Sequence, residues 1–193
     1  MNETQITATR DKYVFGFWLY IMSDCLLFAS LFATFAVLQN NTAEGPMGGD
    51  IFSLPFVLIE TLILLTSSFT MGLALLAMYE GSKKQSLGWL TATAVLGASF
   101  VALELTEFIR FISEGNGPQT SAFLSSFFTL VGTHGLHVTF GLIWMVALIA
   151  QIYRKGFTPK NERVLTNLVL FWHFLDIIWI FIFSFVYLMQ ITG

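Results

Sequence analysis

Five long apolar stretches, at about 14–38, 52–79, 86–112, 122–150 and 164–190, constrain this chain more than any other feature. The shortest is 25 residues. A helix rising 1.5 Å per residue needs roughly 20 apolar residues to cross about 30 Å of hydrocarbon, so each stretch is long enough to span a bilayer with some tilt. Strands are excluded: a lone strand leaves its backbone groups unpaired in lipid, and the period-2 alternation of a membrane barrel is missing. The expected fold is therefore all-α, a polytopic membrane bundle of five transmembrane helices. The connections leave no room for a second domain, so residues 1–193 are read as a single membrane-embedded helical domain.

The connections carry recognisable breaks. Gln39–Asp50 is a polar, glycine-rich loop; Ser53 and Pro55 suit the first turn of the next helix, where a missing N–H costs nothing. Gly115, Gly117 and Pro118 interrupt the chain before the fourth stretch, and Thr158-Pro159 reads as a capped helix start. The first stretch is too long for the core of a secretory signal and has no small-residue cleavage site, so it is expected to be retained.

Lys and Arg set the orientation. Arg10 and Lys12 precede the first span, Lys83 and Lys84 fill the second loop, and Arg154, Lys155, Lys160 and Arg163 fill the fourth. Only Arg110 falls elsewhere. A five-span chain puts the other eight on one face, predicting a cytoplasmic N-terminus and an external, periplasmic C-terminus. Nine basic against twelve acidic residues give a net charge of −3, which offers nothing to nucleic acid. One cysteine, Cys25, excludes an internal disulfide and a thiolate zinc cage.

The residues that lipid should not tolerate are the candidate site. Asp24, Glu60, Glu104, Glu107 and Asp176 lie inside spans, as do His134, His137 and His173. A carboxylate at mid-bilayer costs roughly 3 kcal/mol on insertion scales, so each should face protein, water or a partner. Counted along the helices, Asp24, His173 and Asp176 lie about 15, 13 and 18 Å from the cytoplasmic ends, while Glu60 and Glu104 lie about 12 Å from the outer ends. Glu107 and Arg110, His173 and Asp176, and His134 and His137 each share a helix face. These nine residues form a candidate buried polar network, either a proton path or a device holding helices in register. Asp24 has no basic partner on its own span. Ala94, Ala98 and Ala102, Ala29 and Ala33, and Gly132, Gly135 and Thr139 have the spacing of close helix contacts. Trp18, Trp89, Tyr13, Tyr79, Tyr153 and Tyr187, near span ends, suit an interfacial belt.

His134 or His137 opposite His173 would also suit a b-type haem anchor, an electron-carrying protein, and buried carboxylates would suit a proton-coupled transporter. Interhelical hydrogen bonding explains the same histidines without a metal. No phosphate loop or nucleophile with a positioned base is present, so no catalytic residue, cofactor ligand or metal ligand is assigned to this chain.

Ordered segments in all five stretches resemble subunit III of the haem–copper oxidases: FWLYIMSDC (17–25), LPFVLIET (54–61) with Ser67-Ser68, Glu107-Phe108, GTHGLHV (132–138) and WHFLDIIW (172–179). The match is similar to the quinol-oxidising, cytochrome bo branch. The cytochrome c branch usually carries glutamate where Asp24 stands and two further N-terminal helices, although helix number alone does not choose the electron donor. The resemblance implies an accessory subunit of a proton-pumping terminal oxidase in the bacterial inner membrane. Two haems, one copper and ubiquinone would belong to other subunits. The implied partners are the catalytic subunit I, the other oxidase subunits and phospholipids bound between helices. Support of assembly, of stability and of proton uptake by subunit I is the role implied for this chain.

Overall fold

A computed structural model describes residues 3–42 and 52–192, with side chains described for 15–42 and 52–190. Tyr13, Arg10 and Lys12 fall outside the described side chains, and most of the glycine-rich loop, 43–51, lies outside the described residues. Five helices dominate the structure: α1 (Glu3–Leu38), α2 (Leu54–Tyr79), α3 (Lys83–Ser113), α4 (Ala122–Lys155) and α5 (Pro159–Ile182). The last continues through a π-helical segment (Phe183–Leu188) into a final turn (Met189–Thr192). Each of the five is long and apolar enough to cross a membrane.

The helix ends follow local chemistry. Ser53 stands before α2 with a proline in its first turn. Thr158 accepts the backbone N–H of Asn161 at 3.2 Å, and Pro159 opens α5. Ser121 likewise accepts from Leu124 at 3.1 Å at the start of α4. Gly115 (φ 84°) and Gly156 (φ 71°) follow the ends of α3 and α4 in a backbone region costly for residues with a Cβ. Helices run past the apolar stretches at several ends: α3 begins at Lys83 and α4 ends at Lys155.

Buried positions advance in alternating steps of three and four. In α2 they include Val57, Glu60, Leu64, Ser67, Met71, Ala74 and Met78; in α4, Phe127, Val131, His134, Val138, Gly141, Met145, Leu148 and Ile152. In α3 and α5 the same rhythm runs from Ser86 to Phe111 and from Asn161 to Ile182. A repeat of 3.5 residues is the seam of left-handed, knobs-into-holes helix packing. Helices α2 and α3 make the most extensive pair, α4 packs on α3 and α5, and α5 closes the bundle on α2. Helix α1 lies outside this four-helix core, chiefly on α4 and less on α5. Its seam is Ile21, Asp24, Phe28 and Phe35.

The two ends of the bundle differ. At one end Lys83 donates to the Tyr153 carbonyl at 2.9 Å, bringing the α2–α3 and α4–α5 connections and their basic residues together. At the other, Phe123 N–H donates to the Asn41 carbonyl at 3.2 Å and Gln190 donates to Gln39 at 3.1 Å.

The close approaches match the spacing only in part. Ala29, Ala33, Ala98 and Ala102 are exposed on the bundle surface. Gly135, which the spacing marks, is a close contact, and Gly97 and Gly141, which it does not, are others: a Cβ on Gly97 would lie 2.7 Å from the Trp172 ring, and one on Gly141 3.1 Å from Phe171. Trp172, of large volume and fully buried, sits between α3 and α4 because those glycines leave room. Gly97→Ala is expected to destabilise the bundle by about 1–3 kcal/mol through overpacking. Gly88→Ala, where added carbon meets open space, should be neutral or slightly stabilising. Reversible unfolding in mixed micelles measures both.

Candidate functional site: a buried polar interior

The polar side chains at bilayer depth separate into three groupings. The first occupies the α2–α5 seam. Trp172 donates its indole N–H to Ser67 Oγ at 3.1 Å, and Trp179 donates to Thr61 Oγ1 at 3.0 Å. Both hydroxyls in turn donate to carbonyls of their own helix, Leu64 and Val57. Beside the Ser67–Trp172 rung, His173 Nδ1 and Ser68 Oγ are hydrogen-bonded at 2.7 Å, and Asp176 Oδ2 lies 3.6 Å from the same nitrogen. Antiparallel helices make these pairings regular, because residues rising along α2 meet residues falling along α5.

The second grouping joins α1 to α4. Asp24 Oδ2 lies 3.8 Å from His137 Nε2. The partner that α1 does not itself supply therefore comes from the fourth helix of the same chain. His137 Nδ1 is 2.7 Å from the Thr133 carbonyl oxygen, which can only accept, so Nδ1 carries the hydrogen. A neutral ring would then present a bare Nε2 lone pair to a carboxylate. Phe28, with its ring centre 5.3 Å from that of His137, covers it from α1.

The third grouping lies in the core among α2, α3, α4 and the π-helical segment. Glu60, Glu104, Glu107 and His134 are all buried. Glu107 accepts a 2.9 Å hydrogen bond from Tyr187 Oη and lies 3.9 Å from Arg110 Nη2. Glu60 is within electrostatic reach of Glu104 and Glu107. Glu104 rests on α4 where Gly135 lacks a side chain: a Cβ there would lie 2.5 Å from both carboxyl oxygens. Both oxygens of Glu60, Oε1 of Glu104 and both ring nitrogens of His134 have no hydrogen-bond partner among the described residues.

His134 and His137 share a helix side yet have different surroundings. His134 is enclosed by Trp179 (5.3 Å between ring centres), Phe100 (6.0 Å) and Phe28 (6.4 Å). The ring of His134 is so covered that no porphyrin fits against it, while His137 and His173 are hydrogen-bonded through Nδ1. Among the described residues, no three His, Cys, Asp or Glu side chains gather in a way that could hold a metal ion.

Tyr187 is the residue that sequence reading missed. Its place near a span end suggests an exposed interfacial ring; Trp18, Tyr79 and Tyr153 are exposed, whereas Tyr187 is not. Tyr187 is fully buried, next to Val186 in the π-helical segment, on the same broad inward face that buries neighbouring pairs such as Phe171–Trp172 and Ile178–Trp179 along α5. Removing its hydroxyl strands Glu107 Oε2. Tyr187→Phe is expected to cost about 1–3 kcal/mol of stability, and a double-mutant cycle with Glu107→Leu should show coupling of roughly 0.5–2 kcal/mol. Additive single and double variants in micelle unfolding would contradict the contact's energetic role.

Comparison with known proteins agrees with this architecture. The family model described as cytochrome c oxidase subunit III matches residues 2–191. The chain is 60% identical over 176 residues to the cytochrome bo(3) ubiquinol oxidase subunit 3 of Pseudomonas aeruginosa, covering 91% of this chain and 84% of that one. It is 46% identical to the quinol oxidase subunit 3 of Bacillus spizizenii, covering 97% and 92%. It is 43% identical to the cytochrome c oxidase subunit 3 of Bacillus sp. strain PS3, covering 95% and 88%. The five spans, the interior carboxyls and the histidine-bearing helices are those of a chain that belongs to the cytochrome c oxidase subunit III family.

Proposed function

We propose that this chain is the third subunit of a bacterial, proton-pumping ubiquinol oxidase, which oxidises ubiquinol and reduces oxygen to water in aerobic respiration. It is one membrane-embedded domain lying in the cytoplasmic membrane, N-terminus inside and C-terminus in the periplasm. The catalytic subunit I carries the two haems and copper of the complex, quinol is bound outside this chain, and phospholipids fill grooves between its helices. The observation that carries the reading is the enclosure of the interior. His134 is shut in by aromatic rings, His137 is held between Thr133 and Asp24, and His173 is tied through Nδ1 to Ser68 beside Asp176, which supports a chain that offers structure and protonatable groups to a redox partner.

The orientation rests on the end of the bundle where Lys83 meets α4, next to Lys84, Arg154, Lys155, Lys160 and Arg163, since basic loops stay on the cytoplasmic side. Within the complex, Asp24 and His137 hold a proton near the uptake surface of subunit I, and Glu60 and Glu104 share a proton or a bridging water. These groups sustain proton supply during turnover and keep the catalytic subunit assembled.

A tagged chain isolated in mild detergent is expected to bring haem-containing polypeptides with it. The same chain stripped of partners should show no reduced-minus-oxidised haem band. A band that stays with the stripped chain would overturn the reading. Asp24→Asn is expected to leave initial turnover near normal but shorten the active lifetime and weaken proton pumping severalfold. Unchanged lifetime and pumping would remove the proton role of Asp24 while leaving the subunit reading intact. Reporter fusions give the topology: alkaline phosphatase attached after residue 193 should be active, and attached in the 80–83 turn inactive.

A further inference from the structure

Among the carboxylates and histidines inside the spans, His173 is the least covered by the chain itself. The side chain of His173 is 40% exposed, and it stands halfway along the 30-residue span Pro159–Leu188. Its Nδ1 is engaged by Ser68 and lies near Asp176, but its Nε2 has no partner within the chain among the described residues. Beside it, both carboxyl oxygens of the buried Asp176 also find no conventional hydrogen-bond partner. A ring nitrogen turned towards hydrocarbon at mid-bilayer is unfavourable, and lipid tails offer nothing to satisfy it.

The surroundings are those of a helix-docking strip. Leu65, one turn from Ser68 on α2, and Ile177, one turn from His173 on α5, are both exposed and both lie towards the Thr61–Trp179 rung. One turn beyond Ser68 on α2, Gly72 leaves an open notch, with nothing within 4 Å of where a Cβ would be. Apolar side chains beside one polar atom, next to a position without a side chain, suit a neighbouring helix better than an acyl chain. A helix can enter the notch and present a hydrogen-bonding group, whereas a tail can do only the first.

Resting on the reading of this chain as an oxidase subunit, we propose that the α2–α5 seam around Leu65, Ser68, Gly72, His173 and Ile177 docks a transmembrane helix of another subunit, which places a hydroxyl, carboxamide or carboxyl side chain against His173 Nε2. The Ser68 bond holds the imidazole in its outward pose, so Ser68 and Asp176 are positioning residues for this contact.

The test uses the assembled oxidase, isolated through a tag on a different subunit. His173→Asn keeps a polar atom near Nδ1 and so preserves the Ser68 bond, but has nothing at the Nε2 position. His173→Gln reaches the Nε2 position instead. Docking through Nε2 predicts that retention of this chain after detergent washing falls severalfold in Asn and Leu variants and recovers in Gln. Recovery in Asn but not in Gln would mean that His173 serves only the internal α2–α5 bond, and overturns the proposal. Independently, a benzophenone amino acid at Leu65 or Ile177 should yield a protein–protein adduct on illumination. The same probe at Val95, exposed on α3, is the reference. Adducts at Leu65 and Ile177 no more abundant than at Val95, or adducts to lipid alone, would also overturn it. Failure of the unaltered chain to co-purify with any oxidase subunit would instead remove the proposed function itself.

Discussion

Nothing inside a bilayer competes for hydrogen bonds, so a polar group at that depth must be answered by protein, and this requirement organises the bundle. Each carboxyl and imidazole has gone to a helix seam rather than to the outer surface, His173 apart. The magnitudes say why such groups should not be regarded as the adhesive. Hydrogen bonds between membrane helices contribute on average only about 0.6 kcal/mol each, because the separated helices find other partners. Exposing a charge at the bilayer centre costs roughly 3 kcal/mol. The polar contacts therefore avoid a loss more than they create a gain. Cohesion comes from packing, visible where Trp172 fills the space beside Gly97 and Gly141.

That balance explains which parts of the structure could be read from the residues. Span limits and loop breaks follow from hydropathy, Gly115, Gly156 and the Thr158-Pro159 cap, because lipid and water impose them locally. Seams are another matter. In a soluble helix the apolar stripe marks the buried face, but α1–α5 are apolar on every side and that signal vanishes. The usable mark is inverted: Glu60 and Ser67 in α2, or Thr93, Glu104 and Glu107 in α3, fall on one 3.5-residue repeat and point inward. Small-residue spacing alone misleads. Ala94, Ala98 and Ala102 satisfy it as well as any set, yet two of the three are exposed, since an alanine surface is equally comfortable against lipid. Partners on different helices, such as Asp24 with His137 or Ser68 with His173, are not encoded in any local pattern and required the fold.

The π-helical segment adds a layer that neither hydropathy nor periodicity contains. The broad inward face of α5, which buries neighbouring pairs such as Phe171–Trp172 and Ile178–Trp179, continues through Phe183–Leu188, where Val186 and Tyr187 are both buried. Tyr187 then supplies a hydroxyl to Glu107 and packs its ring on Phe52, at 4.7 Å between centres. Phe52 in turn packs on Phe111, Phe123 and Phe127, so one aromatic cluster ties the α2 entrance, α3, α4 and the end of the fifth span. The π-helical segment is thus where the last span meets the acidic core, through the Tyr187–Glu107 bond.

The range of relatives bears on where the electron donor is chosen. Proteins named as subunits of quinol oxidases and of a cytochrome c oxidase match this chain at 46% and 43% identity over nearly its whole length. A part that itself recognised the donor would have to differ sharply between a lipid-soluble quinol and a soluble haem protein. Such a difference would concentrate in a site open to one of them. In this chain His134 is enclosed by rings, Glu60, Glu104 and Asp176 are buried, and the exposed surface is rich in apolar residues such as Phe69, Leu136 and Ile143. The likeness to relatives named for both kinds of oxidase thus lies in a shared packed interior rather than in a site that distinguishes the two donors.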